Sequence, residues 1–96
     1  MLIKAGVDIS RLDRKTRRAL NMVNRCFEVE GEELIVTSTF EGNHSAGSLH
    51  YANQAFDIRL PVYNPITAVH ELKDALGDDF DVVGEEDHIH IEYDPK

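Results

Sequence analysis

Five residues in two short stretches of the chain are of types that hold a divalent metal and move protons. His50 and Asp57 lie in Ser48-Leu49-His50-Tyr51-Ala52-Asn53-Gln54-Ala55-Phe56-Asp57, and Asp87, His88 and His90 lie in Asp87-His88-Ile89-His90. Two imidazoles and one carboxylate are a donor set that suits Zn²⁺, and three protein ligands leave a fourth position for water. A second carboxylate, such as Asp87 three positions before His90, can take that water's proton. The stretches are far apart along the chain, so the chemistry requires a fold that brings them together.

Local geometry sets what each residue can reach. In an extended segment successive side chains point to opposite faces, so His88 and His90 share one face while Ile89 and Ile91 share the other. The isoleucines can then fill a core while both imidazoles look outward into a cleft. Strict alternation turns Asp87 away from His90, but Asp87 stands at the turn where the strand begins, and a bend there brings its carboxylate round. His50 ends a polar loop and Asp57 lies in the strand that follows, so a loop return can place both on one metal. Each residue also has a plainer reading: a His at the surface or in the core, a His-x-His pair without metal, or Asp57 paired with Arg59 on the same strand face.

The elements that must position these residues are legible in outline. Residues 1–9 are mixed and read as a short strand or arm. Ser10 followed by Asp13 resembles a helix N-terminal cap. From Arg11 to Phe27 the apolar residues Leu12, Ala19, Leu20, Val23, Cys26 and Phe27 recur at helical spacing. Leu34 to Phe40 is short and rich in β-branched residues and predicts a strand. Glu41 to Ser48 has loop composition, and Ala55 to Leu60 predicts a second strand closed by Pro61. Asn64-Pro65 is a helix start, with Ile66, Val69, Leu72, Lys73 and Leu76 as its buried stripe and Gly77 just past its end. Phe80 to Val83 and His88 to Tyr93 predict two strands joined by Gly84-Glu85-Glu86. The order helix, strand, strand, helix, strand, strand predicts one α+β domain over residues 1–96, with two main helices and a small, mostly antiparallel sheet.

Composition narrows the function classes. The 96 residues are 42% hydrophobic and 29% charged, ordinary for a globular chain, with a formal net charge of −8. That charge argues against a nucleic-acid backbone binder. The one basic cluster, Arg11, Arg14, Lys15, Arg17 and Arg18, is interleaved with helix-spaced apolar residues and reads as a solvated helix face, with nucleic-acid contact a minor alternative. The single cysteine, Cys26, excludes an internal disulfide and falls on the apolar side of the first helix. The acidic run Asp78, Asp79, Asp81, Glu85 and Glu86 lacks calcium-loop spacing and reads as a solvated surface. No apolar run reaches membrane-span length and no signal-peptide hydrophobic region stands at the start, so synthesis in the cytoplasm is expected.

Taken together, Ser48-x-His50-x-x-x-x-Ala55-x-Asp57 and the later Asp87-x-x-His90 resemble the zinc D-Ala-D-Ala carboxypeptidase and L-Ala-D-Glu endopeptidase family, whose fold is shared with the Hedgehog signalling domain. The likeness runs from Leu34 to Asp94. Gly47-Ser48-Leu49-His50-Tyr51 and the ending Asp81-Val82-Val83-x-x-x-Asp87-His88-Ile89-His90-Ile91-Glu92-Tyr93-Asp94-Pro95 look especially like small phage-encoded members. The resemblance implies a Hedgehog/DD-peptidase-like fold and a Zn²⁺ cofactor held by His50, Asp57 and His90. It further implies Asp87 as general base and His88 as a neighbour that polarises the scissile carbonyl or holds the oxyanion. The implied substrate is a peptidoglycan stem peptide, and the implied place of action is the cell wall, reached through phage lysis or virion delivery. A Hedgehog-like domain can also keep zinc without catalysis, as a binding or structural module such as a virion component.

The chain departs from the family pattern twice. Asn53 stands where the family has Gly, and Asn tolerates left-handed backbone better than most residues. Ser38-Thr39-Phe40-Glu41 stands where many members have Ser-Gly-Tyr-Arg, whose Arg contacts substrate. Glu41 repels a stem-peptide carboxylate, and His44 or Arg59 is the donor left to take its place. Glu41→Arg is therefore expected to raise kcat/KM on a carboxylate-bearing stem peptide by about tenfold, the worth of one charge-assisted hydrogen bond. Unchanged cleavage would remove position 41 from substrate contact.

Overall fold

Hydrophobic alternation in the last two strands builds the centre of the molecule. In the computed structural model, which describes residues 1–39 and 54–95, the element order is β1 (Leu2–Ile3), α1 (Arg14–Val29), β2 (Ile35–Ser38), β3 (Ala55–Arg59), α2 (Pro65–Leu76), β4 (Phe80–Gly84) and β5 (His88–Tyr93). The strands form one five-stranded sheet in the order β1-β2-β3-β5-β4. This is an α+β arrangement with two helices, as the element pattern predicts. β2–β3, β3–β5 and β4–β5 are antiparallel, while β1 runs parallel to β2.

The sheet is therefore mixed, which corrects the expectation of a mostly antiparallel one. Residues 2 and 3 pair with Ile35 and Val36 through Leu2 N–H to Leu34 O at 2.8 Å and Lys4 N–H to Val36 O at 2.9 Å. A parallel pair needs a crossover, and α1 supplies it. Both side chains of β1 are exposed, so the strand is held by backbone hydrogen bonds and leaves no alternating signal in the sequence.

Both helices lie on one face of the sheet, α2 over β4 and α1 against α2 and β5. Leu20, Val23 and Phe27 of α1 and Ala68 and Leu72 of α2 pack there with Val36, Phe56, Ile58, Val82, Ile89 and Ile91, all of them buried. Cys26 is half-buried beside them. In α2, Asn64 Oδ1 accepts from the amides of Ile66 at 2.9 Å and Thr67 at 3.4 Å. Pro65 occupies the first turn, and Gly77 closes the helix at φ 79°, a left-handed angle that suits glycine. The stripe differs from expectation at two positions. Ile66 is 70% exposed and Lys73 is exposed, while Ala68 takes the inward place that a pattern weighted to large residues passes over.

The cap of α1 also differs. Asp13, at φ −68° and ψ 171°, accepts from the Thr16 amide at 2.8 Å, and α1 begins after it. Ser10 instead turns back, donating from its amide at 2.9 Å and its hydroxyl at 2.6 Å to Asp8 Oδ1. Asp13 Oδ2 also accepts from Gln54 Nε2 at 3.1 Å, which ties the start of α1 to the residue before β3. Burial works to raise the Asp13 carboxyl, but the Thr16 and Gln54 hydrogen bonds bring it below its ordinary value. A lowered carboxyl contributes stability that is present above the usual Asp range and lost as pH falls through the folded value. Asp13→Ala is expected to cost about 1 kcal/mol at neutral pH, with the gap from wild type closing below pH ~4. Urea denaturation at pH 7 and pH 3 measures both.

Candidate metal centre

The face of the sheet away from the helices carries the polar half of the same alternation. In the β3–β5 register Asp57 stands opposite His90, Ile58 opposite Ile89 and Arg59 opposite His88. Phe56, Ile58, Ile89 and Ile91 fill the core, so Asp57, Arg59, His88, His90 and Glu92 share the other side. On β2 the register shifts between Val36, which faces Ile58, and Ser38, which faces Asp57. Two residues of β2 against one of β3 is a β-bulge, a device that re-aims side chains beside a site, and here it brings Ser38 next to Asp57.

The side chains form a continuous chain of contacts. His90 Nδ1 donates to Asp57 Oδ1 at 2.6 Å, and His90 Nε2 donates to Glu92 Oε1 at 2.6 Å. His88 Nε2 lies 3.8 Å from Asp57 Oδ2, while His88 Nδ1 donates to Asp87 Oδ1 at 2.6 Å. Asp57 and His90 are each 24% exposed at the side chain, whereas Asp87 is 87% exposed. The bend before β5 thus turns the Asp87 carboxylate to His88. Asp57, His88 and His90 stand together on this face, with Asp87 joined through His88.

A carboxylate at each ring nitrogen requires His90 to donate from both, which only the imidazolium does. Its pKa is accordingly raised to about 9, first by the Asp57 hydrogen bond, against the pull of burial and with help from Glu92. The His88 hydrogen bond holds the Asp87 carboxyl below its ordinary value. Glu92 escaped notice in the sequence, although His88-x-His90-x-Glu92 has the spacing of one strand face.

Two donor atoms sharing a zinc at about 2.1 Å in tetrahedral geometry are roughly 3.4 Å apart. The 2.6 Å between His90 Nδ1 and Asp57 Oδ1 is instead a direct hydrogen bond, so the pair would have to open by roughly 0.8 Å to share an ion. An imidazole and a carboxylate are the donor types that zinc takes, and these two stand directly opposed and partly buried. Glu92 at the far nitrogen has the position of a group that orients a ligating His. The third expected ligand, His50, lies outside the described residues, as do Glu41, His44 and Asn53. Among the described residues no three His, Cys, Asp or Glu side chains form a complete metal-holding group. His70, with no expected role, is exposed on α2.

No model of a known protein family matches this chain, and no curated protein matches it at a significant level.

In the metal-free protein, His90 is expected to titrate near 9, well above its unperturbed 6.5. A raised folded value contributes stability that is complete below about pH 6.5 and lost as pH rises through about 9. Imidazole NMR and urea midpoints across that range measure the two effects. Asp57→Asn should return the His90 titration towards 6.5 and flatten the stability slope.

Proposed function

We propose that the chain is a zinc-dependent hydrolase of peptide bonds in peptidoglycan stem peptides. The observation that carries this reading is the directly opposed Asp57–His90 pair, with His88 and Asp87 linked to it along the same open face. The motif resemblance and the donor types of this opposed pair support it. His50, Asp57 and His90 would hold the ion. Bound zinc would supply Lewis acidity to the scissile carbonyl and lower the pKa of a water towards 7.

The chain's own groups divide the remaining work. Glu92 fixes the His90 ring through Nε2, leaving Nδ1 on the Asp57 side. Asp87, like any ordinary aspartate, is ionised at neutral pH, and beside its hydrogen bond from His88 its carboxylate would accept a proton from an attacking water. Asp87 then delivers that proton to the leaving amine nitrogen. His88, oriented by Asp87 through Nδ1, has its Nε2 3.8 Å from Asp57 Oδ2 and, in its imidazolium form, would donate from Nε2 to a developing oxyanion. A second reading is a non-catalytic zinc-containing Hedgehog-like module. It draws on Glu41 in place of the family's Arg and on the exposure of Asp87.

Purified chain with zinc is expected to release new amino groups from peptidoglycan. Asp87→Ala should lower that rate by about 10²–10⁴ while zinc stays bound, and Asp57→Ala and His90→Ala should lose the zinc. Wild-type protein that holds zinc and releases nothing decides for the non-catalytic module. A chain that takes up no zinc, with no rise in Tm on zinc addition, sinks both readings.

A further inference from the structure

Charge is segregated along this chain far more than its net value suggests. Residues 11–25 hold six cations (Arg11, Arg14, Lys15, Arg17, Arg18 and Arg25) against one acid, Asp13, a net +5. The remaining residues hold four cations and 17 acids, a net −13, which restores the −8 of the whole. Arg14, Arg18 and Arg25 recur with Asn21 at i, i+4, i+7 and i+11, so they line one exposed face of α1 about 16 Å long. The opposite face, Ala19, Leu20, Val23 and Phe27, is buried.

This arrangement works against the helix that carries it. The first turn of α1 has no acidic residue and the last turn no basic one, so its charges oppose the macrodipole at both ends. Arg14 and Arg18 are like charges at i, i+4, which weakens a helix. Among the described residues no carboxylate bridges Arg14, Arg18 or Arg25. Only Asp13 is committed locally, as the cap. A local rule broken without a gain in the fold is where function is expected.

We propose that the Arg14–Arg18–Arg25 face of α1 docks a flexible, base-free phosphodiester polymer of the bacterial wall, holding the chain on the anionic material that surrounds its substrate. This identity of the polymer rests on the peptidoglycan reading. Charge complementarity selects the class, and three observations select the member. A stiff duplex would meet the −13 remainder of the molecule, whereas a single flexible chain can follow a 16 Å stripe alone. Single-stranded nucleic acid is held by stacking, but the stripe has no aromatic residue, and the neighbouring Tyr93 ring is covered by Lys15 Nζ 4.9 Å from its centroid. The exposed apolar residues of α1, Met22 and Val29, are two turns apart, too sparse a face to enter a bilayer. Lys15 Nζ also donates to Tyr93 Oη at 2.9 Å, and Tyr93 follows Glu92 on β5, so the basic end of α1 is fastened to the strand that carries the candidate metal centre.

The test is titration of the full chain with poly(glycerol phosphate) between about 50 and 200 mM salt. The triple variant Arg14→Gln/Arg18→Gln/Arg25→Gln should bind at least about tenfold more weakly, with the slope of log K on log salt reduced by about two. Its Tm should equal or exceed wild type, because like-charge repulsion is relieved, so weaker binding is not unfolding. The matching Arg→Lys triple should keep binding. Equal binding by wild type and the Gln triple overturns the proposal, as does tighter binding of wild type to poly(dT) or to phosphatidylglycerol vesicles. Cleavage of a short soluble stem peptide, which needs no polymer, separates the two readings. Cleavage without polymer binding overturns the docking face alone, and polymer binding without cleavage overturns the peptidase reading alone.

Discussion

The register between β3 and β5 is the constraint on which the rest depends. Because side chains alternate strictly along a strand, one alignment buries Phe56, Ile58, Ile89 and Ile91 under the helices and sets Asp57 opposite His90 outside. A slip of β5 by one residue would drive His88, His90 and Glu92 towards the core and expose Ile89 and Ile91. The hydrophobic half of the pattern therefore enforces the geometry of the polar half. The Asp57–His90 contact follows from burial of residues that do not touch it, which is how a short strand pair can fix a polar contact without a large domain around it.

Much of this was legible because each signal was local. The alternation from His88 to Tyr93 sets β5 and its two faces, and Asn64-Pro65 with Gly77 marks both ends of α2. What escaped had a physical cause in each case. The short strand expected within residues 1–9 is β1, but its parallel pairing is made by backbone with both side chains in solvent, so hydropathy is silent about it. Ser10 and Asp13 are both good cap types, and the choice falls to Asp13 because Ser10 is taken up by Asp8 while Gln54 also holds the Asp13 carboxylate. The bulge at β2 depends on register with another strand, which sequence periodicity does not contain. At the candidate centre, Glu92 was overlooked because attention to zinc ligands favours His and neglects the group that orients a His.

The same few side chains meet opposing demands. Without a metal, His90 satisfies two carboxylates and is strongly held as the cation. A metal ligand must be the neutral ring, so ion binding has to displace a proton from a site that holds it tightly. The two carboxylates accept hydrogen bonds from the ring, and under the proposed zinc reading Asp57 would have to exchange that role for a ligand's while Glu92 would stay on the far nitrogen.

β4 stands at the end of the strand order, beside β5 on one side only. Such an edge invites strand addition by another copy. Val83 is exposed there, but exposed Asp78, Asp79, Glu85 and Glu86 flank the strand at both ends. Like charges at both ends of the strand repel across an approaching copy, so the edge that β5 leaves open carries its own deterrent to strand addition.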